Sequence, residues 1–136
     1  MTDAPLFDAL APAGLPAPLA NYSQGVLAPP GARLLVTSGQ LAMLPDGTIP
    51  EGAEAQARQC FAQIGAILAA AGAGPAHVLR LNAFVTAREH MPAYMTARDA
   101  FLGGQSPPPT STLVIVGGFT REEFSVEVEA LAAVPG

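Results

Sequence analysis

The chain has no tryptophan and no lysine, and only one cysteine, two tyrosines and two histidines among 136 residues. Each shortage excludes something. With Cys60 alone no intrachain disulfide can form, and the redox compartment stays open. His77 and His90, together with Cys60, do not make a closed zinc site, so no metal is expected, and no cofactor either. The six basic residues are all arginines, scattered as Arg33, Arg58, Arg80, Arg88, Arg98 and Arg121 against 11 acidic residues, for a net charge of −5. A phosphate backbone is tracked by clustered cations, and unpaired bases stack on aromatic rings. The chain is poor in both, so nucleic acid is not an expected partner. No apolar run reaches the roughly 18 residues of a membrane helix. The opening Met1-Thr2-Asp3-Ala4-Pro5 is acidic and lacks the order of regions of a signal peptide. A soluble, cytoplasmic protein with no membrane partner is the expectation.

Half the residues are hydrophobic, 12% are charged, and the mean hydropathy is +0.35. That excludes a charged disordered scaffold and is ample for the core of a single domain over residues 1–136. Residues 1–18 carry Pro5, Pro12, Pro16 and Pro18, a density that blocks helix and central strand. They read as an extended arm, laid over the domain or frayed.

Tyr22–Leu27 and Arg33–Gln40 read as a strand pair joined by Ala28-Pro29-Pro30-Gly31. Residues 52–71 have helical period, with Ala57, Phe61, Ile64, Leu68 and Ala71 on one stripe and Glu51 and Glu54 in the first turn. His77–Thr86 reads as a strand, with Leu79, Leu81, Ala83 and Val85 on one face and Val78, Arg80, Asn82 and Phe84 on the other. A second helix spans Met91–Leu102 and stops at Gly103-Gly104. Ser111–Val116 and Phe124–Ala132 are strands; in the latter Glu127, Glu129 and Leu131 share a face opposite Val126, Val128 and Ala130. The order is ββαβαββ, an α+β fold with two helices on one sheet face. Leu34 or Leu35, with Leu131, makes the other face partly apolar, which favours self-association in a closed ring over a solvated monomer face.

Several strings then resemble the Rid/YjgF family of small trimeric proteins. They are Asn21-Tyr22-Ser23-Gln24-Gly25, Leu35-Val36-Thr37-Ser38-Gly39-Gln40, Asp46-Gly47, Ala55-Gln56-Ala57-Arg58-Gln59, Ala71-Gly72-Ala73, Ala83-Phe84-Val85 and Val126-Glu127-Val128-Glu129-Ala130, in the family's order over about residues 19–133. The resemblance implies a chorismate-mutase-like (YjgF-like) fold in a trimeric barrel assembly, with clefts between subunits that bind small carboxylates. In the catalytic branch such clefts hydrolyse reactive imine or enamine acids, such as 2-aminoacrylate, to the keto acid and ammonia. It places Tyr22 and Ser38 on the cleft wall and makes Glu127 the carboxylate that orients water. That branch also has an arginine, in a Pro-Ala-Arg-Ser string, that pairs with the substrate carboxylate. Here the string is Pro108-Pro109-Thr110-Ser111, and the arginine is Thr110. A hydroxyl for a guanidinium fork loses about 1.5–3 kcal/mol of charged hydrogen bonding. Met95 and Arg98 also stand where the family has asparagine and tyrosine.

Each candidate has a plain alternative. Glu127, with Glu129 beside it, is either a general base or a solvated strand residue. Tyr22 and Ser38 are either ligand contacts or turn and strand-end hydrogen bonders. Thr110, Ser111 and Thr112 are either a cleft wall, with Thr110 and Thr112 substrate-binding, or a hydroxylated strand start. Arg98, ahead of Arg88 and Arg121, is the candidate replacement cation, and a surface ion pair is its alternative. Cys60, without a basic neighbour, reads as a buried small hydrophobe. Two functions stand: a homotrimer that hydrolyses imine metabolites, or a non-catalytic trimer that binds or senses a metabolite. Ribonuclease activity is disfavoured by the charge.

Overall fold

A computed structural model describes residues 6–135. Within them the order is β1 (Asp8–Leu10), β2 (Gly25–Leu27), β3 (Arg33–Val36), β4 (Gln40–Leu41), α1 (Ala53–Ala70), β5 (Val78–Val85), α2 (Met91–Leu102), β6 (Thr110–Ile115) and β7 (Val126–Val134). The main sheet runs β3-β7-β5-β6, with β4 also paired to β7. β5 and β6 are parallel, as a helical crossover through α2 requires, and the other pairs are antiparallel.

The alternation of β7 sorts the two faces. Val126, Val128, Ala130 and Ala132 are buried with Leu81, Ala83 and Val85 of β5 under both helices. The helices close that layer with Ala57, Cys60, Phe61, Ile64 and Leu68 of α1 and Tyr94, Ala97 and Leu102 of α2. Phe61 sits at the centre of their contact, 4.9 Å from the Phe101 ring and 5.7 Å from that of Tyr94. α2 ends where Gly103 turns left-handed at φ 64°, a conformation that favours glycine. No helix among the described residues is long and apolar enough to cross a membrane.

Four details differ from the expectation. The first strand is short, Gly25–Leu27, and its partner is β1 rather than β3. That partner lies in the arm, in the gap between Pro5 and Pro12 where every residue keeps its N–H donor. Phe7 is buried beside it, against Leu79 and Ala133, so the arm is anchored to the domain at this point while residues 8–19 are exposed; Met1–Pro5 fall outside the described residues. Next, Arg33–Gln40 is not one strand. Between Val36↔Leu131 and Gln40↔Val128 it advances four residues against three, so Thr37–Gly39 forms a bulge. A second irregularity between Val78 and Arg80 swaps two side chains: Val78 joins the main core and Leu79 joins Phe7 on the other side. Finally, Glu51 precedes α1, and the first-turn acid is Glu54 alone, paired with Arg58 at 3.3 Å.

Candidate functional site

The sheet face away from the helices carries most of the candidate residues. Register places Glu127, Glu129 and Leu131 of β7 there, across from Phe84, Asn82 and Arg80 of β5. Beyond these, Thr110, Thr112 and Val114 of β6 pair with Arg80, Asn82 and Phe84. On the other side Leu34 and Val36 of β3 oppose Ala133 and Leu131. A cavity of about 210 Å³ opens on this face, lined by Val36, Thr37, Arg80, Asn82, Glu129, Ala130 and Leu131.

Glu127 is half-buried against the bulge. Its carboxylate occupies the space a side chain on Gly39 would need: a Cβ there would stand 2.5 Å from Glu127 Oε2. Partial burial first, and then the negative charge of Glu129, raise the Glu127 carboxyl above its ordinary pKa. Ser38, in the same bulge, is exposed, and its carbonyl accepts the Gln40 side-chain amide at 3.4 Å. Thr37 fastens the bulge: its N–H donates to the Ala130 carbonyl, and its hydroxyl accepts the Ala130 N–H, both at 3.0 Å.

Tyr22 and Thr110 gather at the opposite edge. Ser23, next to Tyr22, donates its N–H to the Pro109 carbonyl at 3.0 Å and its hydroxyl to that of Pro108. This holds Tyr22 near the start of β6, its phenol oxygen accepting the Leu19 N–H at 3.2 Å. The Thr110 hydroxyl donates to the Leu79 carbonyl at 2.9 Å, and Thr112 is exposed two residues on. Two strand spacings and four residues of rise separate Thr110 from Glu127, roughly 15 Å. One protomer therefore does not gather the predicted residues around one small ligand. Tyr22, Thr110 and Thr112 lie at the β6 edge; Ser38 and Glu127 lie at the β3–β4 edge.

Arg98 belongs to neither group, which corrects its reading as the replacement cation. It is 3% exposed on the helix side of the sheet. There it donates to Ser111 Oγ at 3.2 Å and, through Nη2 and Nε, to Asp99 Oδ1 at 3.2 and 3.3 Å. The reason is register: Ser111 pairs with Leu81, a core residue, so it faces α2 while Thr110 faces away. Arg88 and Arg121 are exposed. Cys60 is fully buried, its thiol donating to the Gln40 carbonyl at 3.2 Å; burial, then the charge of Glu127, pushes its pKa up to about 12, far from a reactive thiolate.

The residues missed are Arg80 and Asn82. Arg80 Nε donates to Asn82 Oδ1 at 3.0 Å, and Asn82 Nδ2 donates to Glu129 Oε1 at 3.2 Å. The signal was the alternation of β5, which already set both apart from the core face; what was lacking was the register that puts them opposite Glu129. Among the described residues no three His, Cys, Asp or Glu side chains gather to hold a metal ion.

Comparison with known proteins bears on the fold and the family. A family model described as endoribonuclease L-PSP matches residues 13–134. A 2-iminobutanoate/2-iminopropanoate deaminase of Escherichia coli K12 is 29% identical over 125 residues, covering 86% of this chain and 90% of the relative. A Yersinia pestis protein of the conserved Rid family, YyfB, solved as a protein of unknown function, superposes with a TM-score of 0.83 at 27% identity, over 95% of this chain and 99% of that one. The structure of Escherichia coli TdcF with bound serine superposes with a TM-score of 0.70 at 26% identity, over 97% and 94%.

Proposed function

We infer a function from the premise that this chain belongs to the endoribonuclease L-PSP family, the YjgF/Rid proteins. We propose that it forms a homotrimer whose inter-subunit clefts bind small imine or enamine acids and hydrolyse them to the keto acid and ammonia. The relative named as an imine deaminase supports the reaction class, and the relative holding serine supports a ligand of amino-acid size and charge.

The observation that carries the reading is Glu127. Its carboxylate rests in the notch left by Gly39, half out of water, with a proton affinity raised towards the working range of a general base. In the proposed step a water oxygen bonds to the carbon of the protonated imine, the C=N pair moves onto nitrogen, and Glu127 takes a water proton, leaving a neutral carbinolamine. Glu127 then returns that proton to the nitrogen, the C–N bond breaks with its electron pair on the departing ammonia, the C=O bond forms, and the hydroxyl proton is released to the ammonia, so the products are the keto acid and ammonium. Tyr22, Thr110 and Thr112 of one subunit and Ser38, with Glu127, of the next wall the cleft.

The endoribonuclease description of the family does not enter the proposal. A net charge of −5 and dispersed arginines oppose a polyanion. The test is keto-acid release from freshly generated 2-iminobutanoate, with Glu127→Gln alongside. The wild type should exceed the buffer rate and the variant should lose at least about 100-fold. A wild type that binds a carboxylate yet never exceeds buffer is a non-catalytic binder, and the hydrolase reading falls.

A further inference from the structure

We propose that Arg80 grips the ligand's carboxylate, in the cavity it shares with Val36, Asn82, Glu129 and Leu131. This rests on the reading above that the open sheet face serves a small carboxylate. Four observations converge on it. Arg80 stands directly across the parallel ladder from Thr110, on the same face. The Thr110 hydroxyl is turned into the Leu79 carbonyl and is not offered to a ligand. The Arg80 guanidinium is oriented by a bond that leaves its fork free: Nε is tied to Asn82 Oδ1 at 3.0 Å, and neither Nη has a hydrogen-bond partner among the described residues. Glu129 does not neutralise it by direct contact, because Asn82 lies between them and takes Glu129 Oε1 at 3.2 Å. Two parallel N–H donors on a fixed plane match a carboxylate bidentately.

The rest of the cavity fits the remainder of an α-imino or α-amino acid. Glu129, displaced by one side chain from Arg80, supplies the negative charge that an iminium or ammonium nitrogen seeks. Val36 and Leu131 supply an apolar wall for a short side chain. The other arginines are less apt. Arg98 is buried against Asp99 and Ser111, and Arg58 is paired with Glu54.

The experiment has two arms on the full chain. Kinetics with freshly generated 2-iminobutanoate compare wild type, Arg80→Gln, Arg80→Lys and the double variant Arg80→Gln/Thr110→Arg. Arg80→Gln should raise KM by about 10- to 150-fold with kcat changed by much less, since it removes a charged hydrogen bond made alike in ground and transition states. Lysine should recover part, and the arginine across the ladder should recover more. In the second arm, chemical-shift titration with L-serine and with L-serinamide should show that wild type prefers the carboxylate and Arg80→Gln does not. An Arg80→Gln protein with unchanged KM and unchanged preference overturns the assignment. A wild type that turns over no imine but binds L-serine through Arg80 defeats the hydrolase reading and upholds the assignment; one that binds no carboxylate overturns both.

Discussion

Glu127 and Gly39 form one unit, and each predicts the behaviour of the other. A methyl on Gly39 meets Oε2, Cδ and Cγ of Glu127 at 2.5, 2.7 and 3.0 Å, all on a side chain that can swing aside. Gly39→Ala should therefore fold with a stability change below about 1 kcal/mol, while imine turnover falls as far as in Glu127→Gln. Circular dichroism melts and keto-acid assays separate the two effects. The raised proton affinity of Glu127 sets a pH dependence with a definite sign. A base works ionised, so kcat/KM should fall as pH drops through a midpoint above the ordinary carboxylate value. Glu129→Gln removes the second cause of the shift and should move that midpoint down. The linkage to stability runs the other way from a salt-bridged carboxylate. With the folded pKa above the unfolded one, protonation favours the folded state, and that contribution is lost as pH rises through the folded value. At neutral pH Glu127→Gln should thus melt no lower than wild type. Of this unit the sequence showed Glu127 and its outward facing, from alternation alone. The notch did not show, because a glycine in a β-branched run reads only as a strand end until the opposing strand is known.

At the scale of elements, α1 and the entry of β7 are joined by one buried side chain. Gln56 is 2% exposed. Its amide donates to the Pro50 and Glu123 carbonyls at 3.0 and 2.7 Å, and its Oε1 accepts the Ser125 N–H at 2.7 Å. Gln56→Ala leaves backbone groups on two loops without partners. Unfolding in urea should show a loss of about 2–3 kcal/mol, with the largest rise in amide exchange at Ser125. Gln56→Leu fills the volume yet leaves the same groups unpaired, so it should recover little of that loss. α1, β5 and α2 were legible almost to their ends, because a stripe of four-three spacing and a strict alternation are dictated by the helix and strand repeats themselves. The elements that strayed are those whose geometry depends on a partner. β1 exists because β2 offers it an edge, the bulge at Thr37–Gly39 exists because β7 runs on beside it, and the exchange of Val78 and Leu79 needs the register of β7 to be seen. The place of Arg98 depends on a partner too: which way β6 presents Ser111, its hydrogen-bond acceptor, is decided by pairing with β5.

For the molecule as a whole, the two residue groups on opposite edges of the sheet pose a problem that more than one copy solves. The face between them exposes Leu34 by 64%, Val36 by 74% and Val114 by 44%, an apolar surface with nothing over it in a single protomer. The proposed ring of three would bury that face and set the β6 edge of one copy against the bulge of the next. Sedimentation equilibrium should then give three times the 13.8 kDa protomer mass. Val36→Asp should return the protein to monomers that keep the circular dichroism of the fold and lose turnover. Shared clefts make a stricter demand. If Tyr22 and Glu127 of one protomer serve different clefts, then Tyr22→Ala and Glu127→Gln, each impaired alone, should complement when unfolded together and refolded as a mixture. Every mixed trimer then has one seam at which an intact Tyr22 faces an intact Glu127. Random assembly of equal amounts makes that about one seam in four, so roughly a quarter of the wild-type rate should return. Both residues serving the same cleft from the same chain would give no recovery at any mixing ratio, and the trimer would then be only a scaffold for three self-contained sites.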